Sequence, residues 1–298
     1  MNKLKGIASV VVGAASYGLL ATVVKLGNLE GLHASGLTFL QYFVGFVALA
    51  VLVFFNKPKS DSIKASRKAK IKLVLFGTSM GLTSCFYYLA IQYVPVSIAI
   101  ILLMQAIWMG GVLELFLDKT KPDRLKIVGS IVVLIGTVLA VDVIDNFHAL
   151  SYTGLAFGLL ASMSFTVTLT ATNRVESQLP ILTRSIYLVV GALLVVMLFW
   201  NVAIIEHVNM DNPNLFLYGL FLGLFGAVIP PILFNKGFPI IGIGLGSILA
   251  AIEIPVSVLS ARILLDEQVN TIQWMGVLLI IASVVIINYR YIKGDSQV

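Results

Sequence analysis

Glu253 is the side chain in this sequence best placed to do chemistry. It stands in the run GSILAAIEIPVSVLSARILLDE, residues 246–267. At about 1.5 Å per residue, an apolar run of this length reads as one membrane-crossing helix. An acid near the middle of such a helix costs about 2.5–3.5 kcal/mol on insertion scales, so it needs a reason to be there. Two positions on, Pro255 has no N–H and crowds the carbonyl four residues back, which bends a helix. An acid beside a bend in an apolar helix is the pattern of an ion or substrate site. Desolvation disfavours a carboxylate, so Glu253 is a candidate for exchanging protons or for meeting a substrate ammonium. The alternative is a hydrogen-bonded glutamate tying two helices together, and residue type and position leave both open.

Other side chains could join it. Gln105 carries donors and an acceptor, and Trp108 lies one turn on, so the two share a helix face. Tyr17, Tyr87 and Tyr88 with Trp108 have the aromatic, partly polar make-up of a small-molecule pocket. Aromatics in membrane helices also pack between neighbours or sit at the interface, so each has a structural reading beside the binding one. Pro230 and Pro231 predict a bend in another apolar run and, with Pro255, are candidate hinges.

Other chemistries find no support. Cys85 is the single cysteine, and His33, His148 and His207 lie far apart in sequence, so no metal-ligand spacing exists. Neither a metal nor a cofactor is expected. The Asp142/Asp145 pair could hold Mg²⁺ for an intramembrane enzyme, but no second acidic motif faces it. The glycines of GIGLG at 242–246 follow no strand, so this is no nucleotide loop. Together with Gly219, Gly223 and Gly226 they read as small residues that let helices approach closely.

These residues need a housing, and the composition says which kind. Of 298 residues 59% are hydrophobic and 11% charged, against about 25% charged in a soluble domain. The chain is an all-α integral membrane protein. The +6 net charge lies between apolar spans rather than on one face, which gives no nucleic-acid surface. Apolar runs near 4–26, 34–55, 71–91, 96–117, 124–141, 151–171, 181–200, 215–235, 243–265 and 270–289 predict ten transmembrane helices. The first is longer than a signal-peptide core and reads as a retained helix.

With the N-terminus cytoplasmic, 18 of the 20 Lys and Arg residues fall on the inside. Arg262 falls outside and Lys25 lies near the outer end of the first helix. The positive-inside rule therefore puts both termini in the cytoplasm. The basic segment 57–72 is explained as a topology determinant, with contact to anionic lipid headgroups as the functional alternative.

The chain also repeats itself at an offset near 148. GIASVVVGAASYGLLATVVK (6–25) aligns with GLAFGLLASMSFTVTLTATN (154–173), pairing Ser16 with Ser164 and Tyr17 with Phe165. LLMQAIWMGGVLELFLD (102–118) aligns with AAIEIPVSVLSARILLD (250–266), pairing Gln105 with Glu253 and Ile107 with Pro255. The kink is therefore predicted in the second half only. The division is 1–146 and 147–298, five helices each. Five is odd, so the second copy runs through the membrane inverted, which puts a site at the midplane between the halves.

With these spans, this repeat, SYGLLATVVK (16–25) and IPVSVLSARILLDEQ (254–268) leading to WMGVLLIIASVVII (274–287), the chain resembles the drug/metabolite transporter superfamily, EamA type. It departs where the family often has an Arg early in the second helix, here Gln41. It also lacks the first-helix glutamate that small four-helix relatives use for drug/proton exchange. The resemblance implies movement of small organic molecules across the inner membrane, often outward, through a central cavity.

The sequence thus leads to a secondary active transporter of the inner (plasma) membrane, working by alternating access and exporting a small metabolite such as an amino acid or a similar amphipathic compound. Its expected partners are that substrate, membrane lipid and protons, and it is a monomer or homodimer. An uncoupled facilitator or channel would use the same cavity.

Overall fold

In the computed structural model, residues 3–56, 65–94, 96–118, 124–140, 151–208, 213–266 and 268–294 are described. Lys57, Lys59, Lys64, Lys119, Lys121, Asp142, Asp145 and His148 lie outside them. All regular structure among the described residues is helical, as a chain in lipid requires, because each backbone N–H and C=O must find its partner within the segment.

The first half contains α1 (Lys3–Leu29), α2 (Ala34–Phe55), α3 (Arg67–Tyr93), α4 (Val96–Leu103), α5 (Ala106–Asp118) and α6 (Arg124–Ala140). The second contains α7 (Tyr152–Arg174), α8 (Ile181–Trp200), the short α9 (Val202–His207), α10 (Pro213–Leu222), a π-helical turn (Gly223–Val228), α11 (Ile229–Ile241), α12 (Ile243–Ala250), α13 (Glu253–Leu264) and α14 (Thr271–Gly294). Eight stretches are long and apolar enough to cross a membrane, taking α4–α5, α10–α11 and α12–α13 each as one. Two shorter apolar helices, Ile127–Ala140 and Thr271–Ile286, stand where the fifth and tenth spans are predicted. Exposed leucines, valines and phenylalanines such as Phe54, Leu75 and Leu198 cover the outer surface, and lipid is the solvent that tolerates them.

The halves pack as counterparts. α1 lies on α11, as α7 lies on α3; α1 lies on α12 and α13, as α7 lies on α4 and α5. The pairs α2–α8 and α6–α14 join equivalent helices directly. This exchange is what a two-fold relation between the halves produces. Glycines allow the closest approaches: a Cβ on Gly77 or Gly191 would run into the backbone of the facing helix, which brings α3 and α8 together.

The single helix predicted over 246–267 is in fact two. It breaks at Ala251–Ile252, so that Glu253 opens α13 and Pro255 sits in its first turn, where a missing N–H does least harm. Across the break Ala251 N donates to Ile248 O at 3.1 Å and Ile254 N to Ala251 O at 3.1 Å, one residue tighter than α-helical bonds.

The expectation that only the second half bends is corrected. The first half breaks at Met104–Gln105 without any proline, and Gln105 N donates to Leu102 O at 3.1 Å. A neighbouring helix holds this break: Ser162 Oγ of α7 donates to Leu103 O at 3.2 Å, and Gly158 leaves room for Leu102. The donor that meets this freed carbonyl comes from a neighbouring helix, and no proline takes part. Pro230 and Pro231 begin α11 directly after the π turn, an insertion of the kind that bends helices.

Candidate functional site

The described helices enclose a central cavity lined by α1, α2, α3, α4, α7 and α13. Tyr17, Tyr87, Tyr88 and Glu253 all line it, as do Gln41, Tyr42 and Phe165. Glu253 is nine-tenths buried, and among the described residues its carboxyl has neither a hydrogen-bond nor an ion-pair partner. The Tyr87 hydroxyl is buried without a partner as well.

Four helices position these groups. α1 presses against the start of α13, because a Cβ on Gly18 would lie 2.5 Å from the Glu253 carbonyl oxygen. The same helix pair is pinned by Thr22 Oγ1 and Ser260 Oγ at 2.7 Å. One turn away, Ser16 Oγ donates to Phe225 O at 2.7 Å, a carbonyl within the π turn. Tyr17 is thereby held edge-to-face between Phe165 at 6.2 Å and Phe234 at 5.6 Å. On α3, Tyr88 Oη donates to Gln41 Oε1 at 3.0 Å, and Tyr42 Oη of α2 bonds Met80 O and Ser84 Oγ.

Gln105 and Trp108 are not part of this cavity, which corrects their expected place beside Glu253. They do share a face: Trp108 Nε1 donates to Gln105 Oε1 at 2.8 Å. That face turns outward, where Trp108 is 44% exposed and lines a separate groove between α5, α6 and the start of α12.

Both ends of the molecule carry ties between the halves. At the Leu29 end of α1, the rings of His33 and His207 stack at 3.9 Å and 20°, and Ser35 Oγ donates to Ala203 O at 3.0 Å. There too Glu30 accepts from Tyr218 Oη at 2.8 Å and from Asn214 Nδ2 at 3.1 Å. At the Lys3 end, Lys72 pairs with Glu176 at 3.4 Å.

Near that end Arg184, one of the 18 basic residues assigned from sequence to the inside, is almost completely buried. It donates to Ala171 O, Thr172 O, Val175 O and Asn235 O. The end of α7 supplies three of these carbonyls; Ala171 O also accepts from Val175 N at 3.0 Å, and the last carbonyls of a helix, short of helical donors, favour a cation. Sequence alone had no signal for this clamp, since its acceptors are backbone atoms.

Residues 4–141 and, a second time, residues 152–289 match the model of the EamA-like transporter family. The chain belongs to that family. This EamA-like protein is a multi-pass membrane transporter of the drug/metabolite type, and the two matches are its two repeats. Comparison with curated proteins gives no match. A solved structure described as "Crystal structure of protein" superposes on the EamA-like chain with a TM-score of 0.74 at 14% identity, covering 95% of this chain and 98% of the other. At that identity the likeness is one of fold.

Proposed function

We propose that this EamA-like protein is a secondary active transporter that exports a small organic metabolite across the cytoplasmic membrane. Ten helices cross, the second repeat is inverted, the repeats divide at about residue 146, and both termini are cytoplasmic. The observation that carries the reading is the unpartnered Glu253 carboxyl in an aromatic cavity between the repeats. A buried carboxyl without a protein partner calls for a proton or a ligand. The ties at the two ends then act as gates: His33–His207 and Glu30–Tyr218 at the outer face, Lys72–Glu176 at the inner. Alternating access opens one set while the other holds. Protons couple to the cycle through Glu253, and Pro255 with the π turn before Pro230 and Pro231 supplies the hinges.

The test is a melting-temperature screen of the purified protein against a metabolite library, with Glu253→Gln in parallel, followed by counterflow of the hit in proteoliposomes. A ligand of the folded state raises the midpoint by mass action. Saturable flux with counterflow, lost in Glu253→Gln, is expected. Flux without counterflow would make the protein a channel, and a chemically altered hit would make it an enzyme.

A further inference from the structure

We infer that the central cavity takes a small organic cation, an ammonium on a compact apolar body with no free carboxylate. The inference rests on the transporter reading above and narrows its substrate from amphipathic metabolites at large to one charge class. Among the described lining residues Glu253 is the sole formally charged group, and no Lys, Arg or His lines the cavity. The buried Arg184 is outside the lining and already donates four hydrogen bonds to backbone carbonyls.

The neutral donors point the same way. Thr83 Oγ1 is committed to Ser79 O, Thr168 Oγ1 to Ser164 O, Tyr88 Oη to Gln41 and Tyr42 Oη to Met80 O. An anionic substrate would find the Gln41 amide and the Tyr17 and Tyr87 hydroxyls, and no positive charge. A cation finds an open carboxylate and the rings of Tyr17, Tyr87, Tyr88 and Phe165 lining one space. Aromatic faces attract a desolvated cation through the ring quadrupole. An unpaired carboxylate in a membrane interior gains most from a counter-charge that arrives with the ligand.

Size sets the limit on the body. The cavity volume available to the centres of water-sized molecules is about 60 Å³, roughly the room of four waters. The ionisable groups that share the cavity with Glu253 are Tyr17 on α1, Tyr42 on α2, and Tyr87 and Tyr88 on α3. One carboxylate holds the cation or a proton but not both, so acidification weakens cation binding, and binding releases a proton.

The experiment uses the full-length protein in detergent and isothermal titration with a graded series of cations: methylammonium, tetramethylammonium, choline and phenethylamine. Each is set beside controls of matched shape. For choline these are 3,3-dimethyl-1-butanol, which replaces the charged nitrogen by carbon, and the anion 3,3-dimethylbutyrate. At least one cation is expected to bind and to raise the melting midpoint, while its neutral and anionic counterparts do not. Glu253→Gln should weaken that binding about tenfold or more, and Glu253→Asp and Tyr87→Phe less, each variant first shown to melt cooperatively. Binding should also weaken on acidification in wild type and lose that dependence in Glu253→Gln.

The inference is overturned if the neutral or anionic partner binds as well as its cation, or if no cation in the series binds. The transporter reading is judged separately, by counterflow of whatever compound the library screen returns. A neutral substrate with Glu253-dependent counterflow would keep the transporter and remove the cation.

Discussion

Tyr17 and Phe165 meet edge-to-face with ring centroids 6.2 Å apart, although 148 residues separate them and each holds the equivalent place in its own repeat. Equivalent residues touch where the relation between two copies has its axis. The cavity that both line therefore lies on that axis. Under the proposed function, substrate and symmetry share one location, where a small relative movement of the repeats changes access from both sides. A double-mutant cycle with Tyr17→Leu and Phe165→Leu should give a coupling of about 0.5–1.5 kcal/mol in reversible unfolding. Additive effects would show that the rings do not interact.

Gly18 and Gly111 make a paired test of the contact that holds Glu253 in place. A Cβ on Gly18 meets the Glu253 carbonyl oxygen at 2.5 Å and Val256 at 2.8 Å, whereas a Cβ on Gly111 meets nothing within 4 Å. Gly18→Ala should lower stability by about 1–3 kcal/mol through overpacking. Gly111→Ala should be neutral or stabilising by up to about 1 kcal/mol, as an alanine in a helix interior is. Thermal melts followed by circular dichroism decide it, and equal effects at the two sites would contradict the α1–α13 packing.

The break before Glu253 should survive removal of its proline. The equivalent break at Met104–Gln105 has none, so lack of an N–H is not what keeps these helices interrupted. A structure of Pro255→Ala should still show the interruption at 251–252. A continuous helix through Glu253 in that variant would return the cause to the proline.

His33 should make the Leu29 end of the molecule acid-sensitive. Its Nδ1 accepts from Ser35 N at 3.2 Å, capping α2, and its ring stacks on His207. Burial, and secondarily the charge of His207, hold the His33 imidazole below its ordinary range. The unfolded chain therefore takes up the proton first as pH falls. The cap's contribution is complete above the unfolded value of about 6.5 and is lost as pH drops through it toward the folded value. Wild type should melt at lower temperature at about pH 5 than at about pH 7.5. His33→Asn, a cap that does not titrate, should flatten the slope. Identical slopes in the two proteins would remove His33 as the cause.

Much of this architecture could be read from residue types because lipid allows a chain few solutions. Runs of about 20 apolar residues have to be helices, since no water is present to serve an unpaired peptide group, and the apolar runs and most of the helices coincide. Glu253 stood out for the same reason, as an acid in such a run. The pairing of Tyr17 with Phe165 was legible as a repeat.

Tertiary structure decided which faces meet. Spacing put Gln105 and Trp108 on one face, and they do hydrogen-bond to each other. The rotation of α5 about its own axis, set by its neighbours across the break, turned that face away from the cavity. The first break itself left no mark in the sequence of α4 and α5, because the donor that holds it, Ser162, belongs to α7. His33 and His207 stand 174 residues apart and looked unrelated. Folding stacks them, because a contact between distant loops depends on how long helices pack, a cooperative outcome that no local pattern of residues records.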